Sequence, residues 1–501
     1  MAARSPEKVS TSADIRTRLS HPIIDSDGHT FEIEGAFFDA LKELGGNSLV
    51  EAFGRAIRGS FLDPDWSSLS MNERRRRCFT RPTWRAIPTR NTRDFATALM
   101  PHLLYDRLDE MGLDVSVVYP TLGLILTEIE DDEVRRGACR ALNRLRAEMF
   151  REFSDRLLPV ATIPMHTPDE AIDELRYSTR ELGYRAAMMA SFVRRPITAA
   201  IEKSAEAGQY AYWMDSFGID SEYDYDPLWA ACVELGISPT FHSRGYGWGT
   251  RQSFTNYTFN HIGSFAASAE AVCKSLLMGG VPKRFPDLTF AFLEGGITWA
   301  CALFADLIGH FKKRNLAAIE SYNPARIDRA LFGELANRYG GKFAAGRAEQ
   351  VIERFVARSM AAEDPGLLDE WAPSGIRSAE EIRDIFHAQF YFGCEGDDPL
   401  NALAFGSRMM PFHTRLNALY GSDVGHWDVP DMGEVGHEAY ELTEEGIITA
   451  EDFRDFVFLN PARLWTRTRP DFFRGTVVEH EVAAAVEVRS ARSMNDLSSR
   501  T

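Results

Sequence analysis

Cysteine and long apolar runs are scarce in this chain of 501 residues. The six cysteines are scattered without a CxxC pair, which argues against a disulfide framework and a cysteine-type zinc site and is typical of reduced thiols. No stretch of 18 apolar residues occurs, so no membrane span is expected. The first 20 residues lack the apolar core of a signal peptide. The sequence therefore predicts a cytoplasmic protein.

Basic charge and the common catalytic motifs are also lacking. The chain has 56 Lys and Arg against 73 Asp and Glu, a net charge of −17, which argues against nucleic acid as a partner because phosphate binding needs clustered basic residues. Neither GxGxxG nor GxxxxGK[ST] occurs, and no GxSxG nucleophile elbow is present, so neither a nucleotide loop nor a serine nucleophile is expected. The expected partner is a small-molecule substrate.

What is present is the composition of a globular enzyme, with 45% hydrophobic and 26% charged residues. We predict a disordered N-terminus over residues 1–20, one domain over 21–473 and a C-terminal tail over 474–501. Eight short apolar runs alternate with amphipathic segments, and buried parallel strands have this appearance. The predicted strands span residues 22–29, 114–121, 156–165, 184–191, 236–243, 287–296, 388–396 and 417–425.

Eight strand–helix units in series predict a (β/α)8 TIM barrel. A doubly wound open sheet is the alternative, and periodicity alone does not exclude it. The barrel is favoured because polar residues fall at the C-terminal ends of the predicted strands, where barrel enzymes gather their catalytic groups. Two long insertions, residues 30–113 after the first strand and 310–387 before the seventh, either cover the mouth as lids or form a subunit interface.

Candidate metal ligands lie at four of these strand ends. Asp27 and His29 alternate along the first strand and so point to the same side. His242 ends the fifth strand, Glu294 the sixth and Asp423 the eighth. A carboxylate that follows an apolar run is costly to bury unless it is paired or bound to metal. Each signal is weak alone, and their joint occurrence predicts a metal centre.

Several segments together resemble the amidohydrolase superfamily, in the branch that includes aminocarboxymuconate-semialdehyde decarboxylase and aromatic acid decarboxylases. The segments are DSDGH (25–29), YPTLGL (119–124), FHSRGYGWG (241–249), RFPDLTFAFLEGG (284–296), GSDVGHWD (421–428) and FLNPARLW (458–465). The resemblance implies a barrel with a divalent metal at its mouth and makes a homo-oligomer the expectation. It matches Asp27, His29 and His242 to metal ligands, and Asp423 to a ligand that also handles protons.

Two departures from the superfamily pattern bear on the reaction. Glu294 stands where the decarboxylases carry histidine, and residues 184–191 contain no lysine that could be carbamylated to bridge two metals. Glu294 and His261 are therefore candidates to hold a second ion. A mixed imidazole and carboxylate set suits Zn, Fe or Mn, and we predict one or two divalent ions.

Other residues have weaker signals. His426 and His261 are candidate catalytic groups beside Asp423, or else structural histidines. Arg244 and Trp248 follow His242 closely and are candidate substrate contacts. Arg81 and Glu395 are further candidates for substrate binding, with surface or internal ion pairs as the alternatives.

The leading hypothesis is a metal-dependent hydrolase that cleaves an amide, ester or thioester of a small, largely apolar organic acid. Metal-activated water is the attacking group in this hypothesis, with Asp423 as proton carrier. The alternative is a metal-dependent non-oxidative decarboxylase of an aromatic or unsaturated acid. A third reading is a metal-free binding protein on a degenerate barrel.

Overall fold

The computed structural model describes residues 10–58, 64–82, 87, 90–205, 210–244, 248–356 and 368–486. Eight parallel strands form one sheet in the order β1-β2-β3-β4-β7-β8-β9-β10, and β5 pairs with β6 as an antiparallel hairpin. The strands are β1 (Ile24–Thr30), β2 (Val115–Pro120), β3 (Leu157–Ile163), β4 (Ala186–Met189), β5 (Val193–Pro196), β6 (Tyr212–Asp215), β7 (Pro239–Phe241), β8 (Phe290–Phe292), β9 (Phe390–Glu395) and β10 (Asn417–Gly421).

The sheet closes where the end of β1 meets the segment after β10. The Asp423 N–H donates to the Asp27 carbonyl at 3.0 Å, and the His29 N–H donates to the Val424 carbonyl at 2.9 Å. Strands such as β2 and β8 are buried along their whole length, as expected for parallel strands covered on both faces. The predicted (β/α)8 barrel is confirmed, and each of its eight strands lies within a predicted range except for Thr30, which extends β1 one residue beyond it.

Helices follow the strands around the barrel. Those in the loops after β2, β3, β6 and β7 are Gly123–Leu126, Asp132–Phe150, Pro168–Arg180, Asp226–Leu235, Tyr257–His261, Ser264–Met278 and Val281–Arg284, while Thr198–Ile201 lies between β5 and β6. Those after β9 and β10 are Ala402–Phe405, Val435–Glu444, Ala450–Arg454 and Asn460–Thr468. The helix Pro168–Arg180 shows why such segments are helical: Thr167 and Glu170 form a capping box at its start.

The two predicted insertions are largely helical in their described parts. The first contains Glu34–Ala56, Met71–Arg76, Thr92–Thr97 and Pro101–Met111. Its longest helix packs Phe37, Leu41 and Phe53 against the helix Asp132–Phe150 to form a second apolar cluster beside the barrel core. The helices between β8 and β9 are Thr298–Arg314, Leu316–Ile319, Arg329–Tyr339, Gly341–Ala344, Ala348–Val356 and Ala379–Gln389.

Parts of the two chain ends differ from the sequence expectation. Residues 1–9 lie outside the described residues, but Thr11–Arg18 is a helix that starts at the Ser10 cap and buries Ile15. Disorder was predicted there because the segment is polar, and a single buried apolar side chain gives little signal. At the other end, residues 479–486 are helical and Val482 is buried. In the part of the chain described, no helix is both long and apolar enough to cross a membrane.

Candidate metal centre

The end of β1 presents Asp27 and His29 to the barrel mouth, and a buried carboxylate below them fixes this strand end. Asp25 accepts hydrogen bonds from the Ser116 hydroxyl at 2.5 Å and from the Ser422 N–H at 2.9 Å. The sequence-predicted pair is brought together, because His29 Nε2 lies 3.2 Å from Asp27 Oδ1. Asp25 therefore ties β1 to its neighbours on both sides and holds the pair at a fixed depth.

Gly28 lies between the pair, and its lack of a side chain is a steric requirement. A Cβ atom at this position would lie 2.4 Å from Ser116 Oγ and 2.5 Å from Asp25 Oδ2. The register between β1 and β2 is irregular between Asp25 and Gly28. The close approach of the two strands at this bulge is therefore possible only with glycine.

His242 joins the pair from the end of β7. Its Nδ1 lies 2.8 Å from the Ser243 carbonyl, so an Nδ1–H donor there leaves Nε2 as a lone-pair donor for an ion. That Nε2 lies 3.9 Å from Asp27 Oδ1 and 3.0 Å from Glu294 Oε2. Oxygen and nitrogen atoms of Asp27, His29 and His242 all lie within 4.8 Å of one another, close enough to share one metal ion.

Two acidic residues beside this set, Glu294 and Asp423, have a strained backbone conformation. Glu294, two residues after β8, has φ 55°, and Asp423, two residues after β10, has φ 48°. Non-glycine residues rarely adopt this left-handed region, and such strain is concentrated at functional sites. Asp423 Oδ1 lies 3.6 Å from His29 Nε2, so both carboxylates predicted from the sequence reach the cluster.

His426 contacts Asp423 and belongs to a second set of donors, in which atoms of His29, Glu294, Asp423 and His426 all lie within 4.8 Å of one another. Its Nδ1 lies 2.5 Å from Asp423 Oδ1, and its Nε2 lies 3.0 Å from the Thr121 hydroxyl. The ring stacks on His29 with centroids 3.8 Å apart. Burial lowers the pKa of His426 to about 3. A neutral imidazole held at both nitrogens orients the Asp423 carboxylate.

A third set of donors lies beside the first and includes a residue that the sequence analysis missed. His261 Nε2 lies 3.8 Å from Glu294 Oε1, and donors of His261, Glu294 and Asp428 all lie within 4.8 Å of one another. Asp428 belongs to the GSDVGHWD segment, five positions after Asp423. The signal that could have found it in the sequence is that Asp428 is a carboxylate in the same loop as the candidate ligand Asp423.

The carboxylates of the site are buried, and this burial determines their pKa values. Burial raises the pKa values of Asp27, Glu294 and Asp423 well above their usual range, and their mutual repulsion adds to this effect. In the described part of the chain, no lysine or arginine pairs with these three carboxylates. Glu395, the last residue of β9, is affected in the same way, since burial and nearby Asp428 and Glu294 raise its pKa to about 8.

The unsatisfied atoms of the cluster fit a bound cation. Asp27 Oδ1, His242 Nε2, Glu294 Oε2 and Asp423 Oδ2 are buried and have no hydrogen-bond partner. Buried polar atoms are rarely left in this state unless a group outside the protein satisfies them. The donors are imidazole nitrogens and carboxylate oxygens, the set that transition-metal ions such as Zn, Fe and Mn accept.

The predicted substrate residues lie farther out. Arg244 is paired with Glu128 at 2.5 Å, and the Trp248 ring lies 5.7 Å from that of Phe192. The Arg81 guanidinium lies over the Trp66 ring at 4.3 Å. Arg81 therefore packs within the first insertion, while Arg244 and Trp248 line a groove together with residues of that insertion.

Part of the chain matches a known protein family. Residues 96–342 match the family described as amidohydrolase. The match covers just under half of the chain, and this part of the chain is similar to the amidohydrolase family. The matched part includes β2 to β8 and the residues His242, His261 and Glu294 of the site. The resemblance found in the sequence is confirmed, and the amidohydrolase barrel places its site at the C-terminal ends of the strands, as observed.

Solved structures of low identity are similar to this chain over most of its length. A 4-oxalomesaconate hydratase from Rhodopseudomonas palustris is 14% identical with a TM-score of 0.43, and 94% of this chain and 99% of that chain are covered. A 5-carboxyvanillate decarboxylase from Novosphingobium aromaticivorans with bound manganese is 12% identical with a TM-score of 0.48, covering 89% and 97%. An amidohydrolase from Mycobacterium avium subsp. paratuberculosis is 16% identical with a TM-score of 0.47, covering 89% and 100%. Likenesses at this level carry no argument about the reaction.

Proposed function

We propose that this protein is a metal-dependent hydrolase that cleaves an amide, ester or thioester bond of an organic acid derivative. The observation that carries the proposal is the cluster of buried carboxylates and imidazoles at the barrel mouth, several of whose atoms have no hydrogen-bond partner in the described protein. Such a cluster is costly in free energy unless cations occupy it.

Two ions fit the charges better than one. Asp27, Glu294, Asp423 and Asp428 supply four negative charges when ionised, and the four nearby histidines are neutral because burial lowers the pKa values of His29, His242, His261 and His426. Two divalent cations balance four carboxylates. Asp27, His29 and His242 would hold one ion, and His261, Glu294 and Asp428 the other, with Asp423 facing the first.

A divalent ion held there supplies Lewis-acid chemistry, in that it makes water a better nucleophile near neutral pH and polarises an acyl carbonyl. The protein's own contribution is proton handling. Asp423 accepts a proton at its carboxylate and returns it to the leaving group, as a general base and then a general acid. His426 keeps that carboxylate oriented through its Nδ1 and is itself fixed by Thr121.

Glu294 supports hydrolysis over decarboxylation. The resemblance implies a histidine at this position in the decarboxylases, and this chain instead places a carboxylate 3.0 Å from the ligand histidine His242. A second anionic oxygen at the centre repels a substrate carboxylate that would have to bind there. It is compatible with a neutral ester, thioester or amide.

Purified protein tests the proposal when it is loaded separately with Zn, Fe and Mn and supplied with p-nitrophenyl esters, acyl thioesters and anilides. The expected result is release of acid and alcohol, thiol or amine that stops when the metal is chelated and returns when it is restored. The Asp423→Asn variant provides the matched inactive control. Release of carbon dioxide from a hydroxybenzoic acid, with no hydrolysis of any panel member, would replace the proposal with the decarboxylase alternative. A protein that takes up none of the three metals would overturn both.

A further inference from the structure

A large groove of about 1460 Å³ includes Arg244, two residues past the candidate ligand His242, in its lining. It lies between the first insertion, the segment after β2, the β5–β6 hairpin and the segment that follows His242. Pockets for drug-sized ligands enclose about 300–1,000 Å³. The groove is therefore larger than a small organic acid needs, and it has room for a long group attached to that acid.

Arginine dominates the lining of this groove although the chain as a whole is acidic. Between residues 55 and 81 the sequence has seven arginines and three acidic residues, against a net charge of −17 for the whole chain. In the described part of the protein, guanidinium groups line the groove from four separate segments: Arg58, Arg76, Arg77, Arg194 and Arg244. Concentrating positive charge in one concave surface attracts an anionic ligand.

Glu73 holds two of these arginines in place without neutralising both. Arg76 donates to its two carboxylate oxygens at 2.8 and 2.6 Å, and Arg77 donates through Nε at 2.6 Å. These contacts lower the pKa of Glu73 to about 2, so it stays ionised. One carboxylate against two guanidiniums leaves a positive charge, and Arg77 keeps its terminal N–H donors for a ligand.

The β5–β6 hairpin contributes the opposite wall. Arg195 points to the protein interior, where its Nε donates to Asp215 at 2.9 Å. Because side chains alternate along a strand, Arg194 points the other way, into the groove, with its guanidinium 4.8 Å from the Tyr212 ring centroid. Tyr212 and Trp248 also line the groove and add ring faces on which a planar group can stack.

Three acidic residues, Glu128, Glu130 and Asp131, also line the groove, and the side chains of two of them have internal contacts. Glu128 is paired with Arg244, and Asp131 accepts the N–H of Val134 at the start of the helix Asp132–Phe150. The Glu128–Arg244 pair is the part of the lining that is nearest to His242 along the chain, because Arg244 is two residues past His242. A ligand that extends outward from the metal centre would meet this pair first and the arginine-lined walls beyond it.

We infer that the leaving group of the substrate carries a phosphate-bearing, nucleotide-like handle that lies along this groove while the acyl group lies at the metal centre. Phosphate is favoured over a single carboxylate because guanidiniums from several segments can each pair with a phosphate oxygen. The inference rests on the proposed function for the acyl end only. Binding of the handle can be measured without any hydrolysis.

The test is titration calorimetry of the metal-loaded protein with ADP and with adenosine. ADP is expected to bind at least ten-fold more tightly than adenosine, with affinity that falls as salt rises. The double variant Arg76→Gln/Arg77→Gln is expected to weaken ADP binding ten-fold or more. The matched control is Arg55→Gln/Arg75→Gln, which removes two exposed arginines of the same insertion that do not line the groove and should change ADP affinity less than two-fold.

Three outcomes would overturn the inference. In the first, ADP binds no better than adenosine. In the second, the two double variants weaken ADP binding equally, which would indicate a nonspecific charge effect. Alternatively, Asp27→Asn would abolish ADP binding while Arg76→Gln/Arg77→Gln left it intact, which would place the phosphates at the metal centre. Circular dichroism of each variant excludes loss of folding as the cause. Failure of hydrolysis with intact ADP binding would refute the proposed function and leave the groove assignment standing.

Discussion

Glu294 Oε2 lies 3.0 Å from His242 Nε2, and this contact joins two of the candidate metal sets. His242 belongs to the set with Asp27 and His29, and Glu294 to the set with His261 and Asp428. A carboxylate placed between two sets of ligands can contribute one oxygen to each. The strained backbone of Glu294, with φ 55°, is consistent with a position that the site and not the local sequence determines.

Substitution of Glu294 is predicted to lower the metal content. Native protein should contain two divalent ions per chain, and Glu294→Ala and Asp428→Asn should each reduce this to one, because the second set then keeps only two of its three donors. Elemental analysis of protein isolated from metal-supplemented medium measures the ratio. Lys274→Ala removes an exposed residue paired only with Glu270 and serves as the control. A native ratio of one ion per chain, or a ratio that neither acidic variant lowers, would contradict the assignment of a second ion to this set.

Asp423→Asn is predicted to lower kcat by about 10²–10⁴-fold, the usual contribution of a general acid–base group. His426→Gln should give a smaller loss in kcat, because it removes the group that orients Asp423 and leaves the carboxylate itself. Steady-state kinetics on the best ester or thioester of the panel measures both. His310→Gln is the matched control, since His310 is exposed on the helix Thr298–Arg314. If His426→Gln lowered kcat as strongly as Asp423→Asn, His426 would have a direct catalytic role.

Gly28→Ala is predicted to destabilise the protein by about 1–3 kcal/mol, the usual cost of overpacking a buried site. The added methyl group would lie 2.4 Å from Ser116 Oγ and 2.5 Å from Asp25 Oδ2, so β1 must shift. Denaturant unfolding measures the change, and metal content should fall with it because Asp27 and His29 move. Gly35→Ala, where nothing lies within 4 Å of the added atom, should be neutral or stabilising. Equal effects in the two variants would refute the steric explanation.

His166 is predicted to make the protein less stable as pH falls. Burial lowers its pKa to about 3 in the folded protein, whereas an unfolded chain titrates near pH 6.5. The unfolded state therefore binds a proton between pH 6.5 and 3 that the folded state does not, and stability decreases in this window by at most about 1.4 kcal/mol per pH unit. His166→Gln should show a shallower loss over the same range in urea unfolding. Parallel curves for the two proteins would contradict the assignment.

The barrel was predictable because its determinants are local. Each strand is a short apolar run, and a helix such as Pro168–Arg180 carries its own start signal in Thr167 and Glu170. The residue types at the strand ends are equally local, so Asp27, His29, His242, Glu294 and Asp423 could be named as candidate ligands from the sequence, and the structure brings these side chains together. The hairpin of β5 and β6 was not predicted, because two strands of four residues give little periodicity.

Asp428 and the groove show what depended on the tertiary structure. Asp428 looked like one acidic loop residue among many, and its proximity to His261 and Glu294 arises only when the loops after β7, β8 and β10 meet at the mouth. The arginines of the groove come from segments far apart in the chain, so their spacing carries no signal. The sequence by itself determined the order of strands and the residue types at their ends, because these follow from burial and periodicity. The closure of the barrel decided which side chains lie close enough to share an ion or a ligand, because distances between loops are set by packing and not by position in the chain.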